Sequence, residues 1–326
     1  MALRRLRNFL TLWGGLVFFL PPSASAQAAD EGALFLLIPF GAQGVGLARA
    51  MTPLTTSEGA FWNPAGLARL DRSSILVYQG EHVSGTATGV SALLAWDRGG
   101  TLGLSYALLD SGTQDLTDET GAVLGSITIR QHQAILSTAA RFGSWIAGGV
   151  NFKFVQFRQG CRGQCPDGGV RATTYAADIG VQLQPFGSHP LELGVLVAHL
   201  GPRLKSEGPI QSEPLPSRLR FGAAYSLLRD VGEEELRVRL ILEVEDRVRE
   251  LGDPSVLLGS EISLGTGDRV TVRGGYIFGN RTQIDGAAVG LGLRYERFEL
   301  GIARSLARGG PSLDQEPVHL TLGLGL

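Results

Sequence analysis

From Ser73 to the end, the chain breaks into segments of about ten residues in which every second side chain is apolar. That period turns one face of a strand toward an apolar medium and the other toward a polar one. Fourteen segments follow it: 73–80, 86–96, 101–109, 126–142, 145–157, 173–184, 191–200, 218–227, 235–246, 256–264, 269–278, 287–295, 298–305 and 317–326. An even count suits a closed antiparallel barrel made by one chain. The expected fold class is all-β, a transmembrane antiparallel β-barrel of about 14 strands.

The connections give a second line of argument. Asp97-Arg98-Gly99-Gly100, Gly143-Ser144, Gly265-Thr266-Gly267-Asp268 and Glu296-Arg297 are tight, whereas 110–125, 158–172, 201–217 and 306–316 are long and polar. Short periplasmic turns opposite long external loops are the outer-membrane asymmetry, with both ends of the barrel on the periplasmic side.

Faces can be assigned where alternation is clean. Over 235–246, Leu236, Val238, Leu240, Leu242 and Val244 are expected outside, with Arg237, Arg239, Glu243 and Glu245 in the lumen. Over 218–227, Arg218 and Arg220 point inward, and over 269–278 so does Arg273. A one-residue slip would put these charges in lipid at ~2–4 kcal/mol each near the midplane. The lumen charges either form a substrate path or pair with one another as a structural ladder. Of the basic residues only Lys153 and Lys205 are lysine, and the arginine fork suits enclosed carboxylate pairing.

Ahead of the strands, Arg4, Arg5 and Arg7, an apolar run and Ala24-Ser25-Ala26 read as a signal peptide over 1–26, the alternative being a membrane anchor. The formal charge of −2 becomes nearer −5 without those arginines, which argues against nucleic acid as a partner. Cys161 and Cys165, in a Gly-rich loop of an exported chain, are expected as a local disulfide; zinc and free thiols are the alternatives. His82, His132, His189, His199 and His319 lack metal-ligand spacing, and no nucleophile elbow, zincin or P-loop motif occurs, so neither enzyme, metal nor cofactor is expected. His132 beside Ser137 and Thr138 reads as a lumen-facing polar residue. Asp115, Asp118 and Glu119 read as a solvated acidic loop or a cation site.

Residues 27–72 lack the strand rhythm and form either a lumen hatch (plug) or a periplasmic tail, with 73–326 as the barrel. Within them Ser57-Glu58-Gly59-Ala60-Phe61-Trp62-Asn63-Pro64-Ala65-Gly66-Leu67-Ala68 contains a tight turn. Asn63 can satisfy local backbone groups, Pro64 fixes φ, and Gly66 permits close approach to the wall. This motif, with 36–42, 215–225 and 272–276, resembles the FadL superfamily of bacterial outer-membrane barrels, and within it the PorV/PorQ-like branch. The chain departs from that pattern in its shortness and in ending on Leu326, where an aromatic is usual.

The FadL resemblance implies a plug hinged at Asn63, Pro64, Ala65 and Gly66, and passive uptake of a hydrophobic small molecule with release through the wall. Leu36, Phe40, Phe61 and Trp62, within and beside 34–40, are then the candidate apolar contacts. The PorV/PorQ resemblance implies instead a secreted-protein partner docking on 200–216. Outer-membrane lipid and the barrel-assembly machinery are expected partners in either case.

Overall fold

A computed structural model of the chain describes residues 31–96, 100–164, 168–185, 190–206, 212–231, 234–280, 283, 285–306 and 317–326. The leader expected over 1–26, the start of the hatch, Cys165, His189 and most of the 306–316 loop lie outside the described residues.

Alternation produces strands β1 Ser74–His82, β2 Gly85–Trp96, β3 Gly100–Thr117, β4 Val123–Phe142, β5 Ile146–Gly163, β6 Val170–Leu183, β7 Leu191–Leu200, β8 Lys205–Ser206, β9 Arg218–Val231, β10 Glu234–Arg247, β11 Glu250–Leu264, β12 Arg269–Phe278, β13 Gly286–Tyr295, β14 Phe298–Ser305 and β15 Val318–Gly325. Each pairs antiparallel with its neighbours. The β1–β15 and β5–β6 ladders close the sheet, while the two-residue β8 hangs on β6. The result is a closed 14-strand antiparallel barrel with its edges removed.

The outer surface is apolar because alternate residues expose large hydrophobics, among them Leu102, Leu104, Phe152, Ile179, Leu240, Leu242, Val270, Leu291 and Leu322. Trp96, Phe142, Trp145, Tyr295 and Phe298 girdle the short-turn rim; Tyr106, Tyr175, Tyr276 and Phe278 lie toward the other. Aromatic belts at both ends are what an interface-spanning barrel needs.

Three expectations need correction. The stretches 110–125 and 158–172 are largely strand, not loop. β3 runs to Thr117 and β4 starts at Val123 around a turn in which Asp118 Oδ1 accepts from the backbone of Thr120 and Ala122, both at 2.9 Å. β5 likewise continues to Gly163, so β3–β6 form a tall wall on the long-loop side. His132 faces outward, opposite Leu108, where its Nδ1 meets Tyr106 Oη at 2.7 Å; the added strand length puts it beyond the apolar belt, where a polar outward residue is tolerated. The segment 200–216 is tied down at its end, where Pro214, Leu215 and Pro216 are buried and Gly32 N donates to Pro214 O at 2.9 Å, while Gly201, Pro202 and Arg203 are exposed and 207–211 lie outside the described residues.

β7 carries a bulge. Ala177 pairs with Leu200 but Ile179 with Val197, so β7 has one residue more than β6 there. His199 absorbs it at φ 59°, and its N–H donates to Asp178 Oδ1 at 2.9 Å.

Candidate functional site

Residues 31–72 cross the lumen. Glu31 meets Arg218 near the long-loop rim, and Arg69 Nη1 reaches Ser144 O at the opposite rim. Between them the segment forms 3-10 turns at Leu34–Leu37, Ser57–Ala60 and Pro64–Arg69 and a single helical turn, α1, at Ala42–Gly46.

The Asn63–Gly66 turn is built as its residues dictate. Asn63 sits extended as the N-cap, its Oδ1 accepting from Ala65 N at 3.1 Å, and Pro64 occupies the first position of the turn, where no N–H is needed. Asn63 Nδ2 donates to Thr52 O at 2.7 Å, tying it to the Met51–Leu54 turn earlier in the segment. The wall is shaped to receive it. At Gly149 a side chain would strike the Pro64 backbone, and at Gly180 it would strike Asn63 Oδ1. Gln182 Nε2 donates to Leu54 O at 2.8 Å, and Thr101 Oγ1 to Leu67 O at 2.7 Å.

Glu58 organises the other side. Its two carboxylate oxygens accept from Gln43 N at 3.0 Å and Gly44 N at 2.9 Å, the free N–H groups of α1. Thr321 Oγ1 on β15 receives Ala42 N at 2.8 Å and itself donates to Glu58. Enclosure pushes the Glu58 carboxyl up to about 7, against the opposing pull of the Gln43 and Gly44 amides, Arg273 and the Thr321 hydroxyl.

The lumen lining is uneven. Along β9–β12 the inward charges pair with one another and with the segment. Arg220 Nε lies 2.6 Å from Glu243 and 3.2 Å from Glu245, Arg49 lies 3.2 Å from Glu245, and Arg218 lies 2.7 Å from Glu31. Glu261 takes Arg273 at 2.9 Å and Arg239 at 3.8 Å, while Arg237 pairs with Glu235 at 3.0 Å. Of the two readings of these charges, this geometry favours the ladder.

Along β1–β6 the inward positions are mixed: Ser91, Ser105, Gln133, Ser137, Asn151 and Thr174 are buried polar residues and Lys153 pairs with Asp178 at 2.6 Å, but beside them lies an apolar patch. Leu76, Tyr78, Ala87, Ala107, Leu109, Val155 and Ala176 pack on Phe35, Leu36, Phe40 and Leu215. Toward the long-loop rim this patch opens into a cavity of about 490 Å³, lined by Ala33, Leu34, Phe35, Ile38, Leu109 and Phe157 among others. Its volume suits a small organic molecule.

The sequence-based contact residues are placed differently. Leu36 and Phe40 are packed in the apolar patch, Phe61 stacks on Phe40 at 5.3 Å between centroids, and none of the three lines the cavity. Trp62 is also buried, its Nε1 donating to Phe40 O at 2.8 Å beneath the Arg220 guanidinium. The cavity uses instead Leu34, Phe35 and Ile38 of the same stretch, with Leu109 and Phe157 from the wall. Their sequence signal was an apolar residue at an inward position, at 109 and 157, which a uniformly polar interior does not contain.

Cys161 is disulfide-bonded, while the other half of the pair reading, Cys165, lies outside the described residues. Asp118 is spent on its own turn, and among the described residues no group of three or more His, Cys, Asp or Glu side chains is placed to hold a metal.

No family model and no curated protein matches the chain. Solved structures do. The CymD monoaromatic hydrocarbon channel superposes with TM-score 0.57 at 10% identity, over 91% of this chain and 99% of that one. The Pseudomonas putida toluene transporter TodX gives 0.55 at 11%, over 88% and 99%. A Pseudomonas aeruginosa FadL homologue gives 0.51 at 10%, over 88% and 99%. At such identities the likeness carries the fold, that of FadL-like outer-membrane barrels.

Proposed function

We propose that this chain is an outer-membrane barrel for passive passage of hydrophobic small molecules, with the segment over 27–72 as its hatch. The observation that carries this reading is the apolar patch on the β1–β6 lining, opening into a cavity of about 490 Å³ on the long-loop side. An apolar solute entering there meets Leu34, Phe35 and Phe157, with Glu31 and Glu213 also on the cavity lining. The fold likeness to two hydrocarbon channels supports the same cargo class. Beyond the cavity, onward movement requires the packed layer of Leu36, Phe40 and Phe61 to shift, and the Asn63-Pro64-Ala65-Gly66 turn is the fixed point about which it turns.

The PorV/PorQ-like alternative, docking of secreted proteins on 200–216, loses the apolar end of its surface, because Leu215 and both flanking prolines are buried. The test is uptake of a radiolabelled apolar aromatic by cells expressing the chain. Charging the cavity with Leu34→Arg and Phe157→Arg should lower uptake several-fold at equal barrel level. Unchanged uptake in the double variant sinks the proposal.

A further inference from the structure

The tall β3–β6 wall carries a row of arginines on its outward face. Arg130 on β4 stands directly opposite Arg158 on β5, and Arg158 directly opposite Arg171 on β6. All three are exposed. They share their face with the apolar belt: Phe152 lies on the Arg158 side of β5, and Tyr175 and Ile179 on the Arg171 side of β6, all exposed.

An aromatic girdle lies just toward the midplane from this row. Tyr175 is stacked on Phe152 at 5.7 Å between centroids and tilted against Phe154 at 5.6 Å, and Tyr106 reaches His132. Tyr at that level marks the boundary between acyl chains and headgroups, which places the arginines among the headgroups. Like charges directly opposite one another on a sheet repel. Only part of that is relieved by the protein itself. Asp110 takes Arg130 at 2.8 Å, and the Gln156 amide, oriented to satisfy both groups, accepts from Arg171 at 2.8 and 3.2 Å. No carboxylate pairs with Arg158 or Arg171 among the described residues. The row therefore presents guanidinium groups from three adjacent strands, whose backbones lie roughly 5 Å apart, continuous with a surface built for acyl chains.

We propose that this row binds the phosphate groups of an outer-leaflet glycolipid, the phosphorylated headgroup of lipopolysaccharide, with its acyl chains on the Phe152–Tyr175 surface. Guanidinium forks match phosphate oxygens two at a time, and a phosphate between Arg158 and its neighbours removes the repulsion along the row. The site rests on the barrel's place in the outer membrane and is independent of its cargo.

The test uses the purified full-length barrel in a neutral detergent, titrated with bis-phosphorylated lipid A and with the same lipid stripped of phosphate, read by native mass spectrometry. Wild type should bind the phosphorylated form, and Arg158→Gln with Arg171→Gln should weaken it about 30-fold, the effect of two interfacial basic residues on an anionic lipid. The stripped lipid should bind wild type and variant alike. Millimolar inorganic phosphate should leave the lipid in place; displacement would mean a free-anion site and overturn the proposal, as would equal binding of the two lipids or an unaffected variant. Without lipid the variant should unfold near the wild-type temperature, the relieved repulsion offsetting the lost Arg171–Gln156 hydrogen bonds. If the double variant does not fold, Arg158→Gln alone supplies the comparison. Apolar-probe uptake into lipopolysaccharide-free proteoliposomes should be unchanged, which separates failure here from failure of the transport reading.

Discussion

Glu243 and Glu58 are both enclosed carboxylates, and their neighbours give them opposite tasks. Glu243 faces a full cation, with Arg220 at 2.6 Å, and also accepts from Thr52 N at 2.9 Å and Thr52 Oγ1 at 2.7 Å. Removing it leaves Arg220 enclosed with half its counter-charge, so Glu243→Ala should destabilise the barrel by about 3–5 kcal/mol. Urea unfolding in detergent followed by tryptophan fluorescence measures this, and a loss below about 1 kcal/mol would mean that water already solvates the pair. Glu58 instead is held by amides and a hydroxyl, and burial pushes its carboxyl up to about 7 from an ordinary 4.5. The folded state therefore holds a proton that the unfolded state has released across that window. Its contribution is complete below about pH 4.5, falls as pH rises toward 7, and is flat above. Melting curves from pH 4 to 8 should show wild type losing stability relative to Glu58→Gln between those values. Parallel curves would show that the carboxylate is solvated.

At the scale of elements, the contact that fixes the hatch is backbone against backbone, made at wall glycines such as Gly149, Gly194 and Gly275. A methyl group at Gly149 would meet the carbonyl and nitrogen of the Pro64–Ala65 peptide, which cannot swing aside as a side chain can. Gly149→Ala should therefore push the Pro64–Arg69 turn off the wall, at about 1–3 kcal/mol, and raise amide hydrogen exchange over 57–70 while the strands stay protected. Exchange unchanged in that stretch would place the anchor elsewhere. The strands themselves were legible because lipid leaves a strict two-residue period. The ranges 191–200, 269–278 and 298–305 coincide with β7, β12 and β14. What the period hid was length. Beyond the lipid belt both faces become polar, so the outer thirds of β3 and β5 and the first residues of β4 look like loop although their backbones pair. The bulge at His199 was also hidden, since one extra residue in a short strand changes the pairing and leaves the composition as it was.

For the whole molecule, the proposed function rests on the apolar patch of the lumen lining, which the sequence disclosed less readily than the charged ladder on β9–β12. Inward arginines and glutamates stand out against apolar neighbours on β9–β12. Inward Ala107, Leu109, Val155 and Phe157 do not, because an apolar residue between apolar residues reads as noise in the alternation. The apolar contacts were accordingly sought in the segment alone, at Leu36, Phe40, Phe61 and Trp62, whereas the cavity is shared between segment and wall. If passage follows the apolar patch, patch and ladder answer differently to equivalent changes. Leu109 is fully buried at the cavity floor, and Leu109→Gln adds a polar group there without adding charge. It should lower uptake of an apolar aromatic about tenfold, an uncompensated amide in an apolar path costing about 1–3 kcal/mol. Glu261→Gln removes the shared partner of Arg239 and Arg273 and should cost stability, yet leave uptake within about twofold, since no apolar solute crosses that side. Measured in the same cells at matched barrel level, the opposite pattern would move the path to the charged side and turn the ladder from scaffold into conduit.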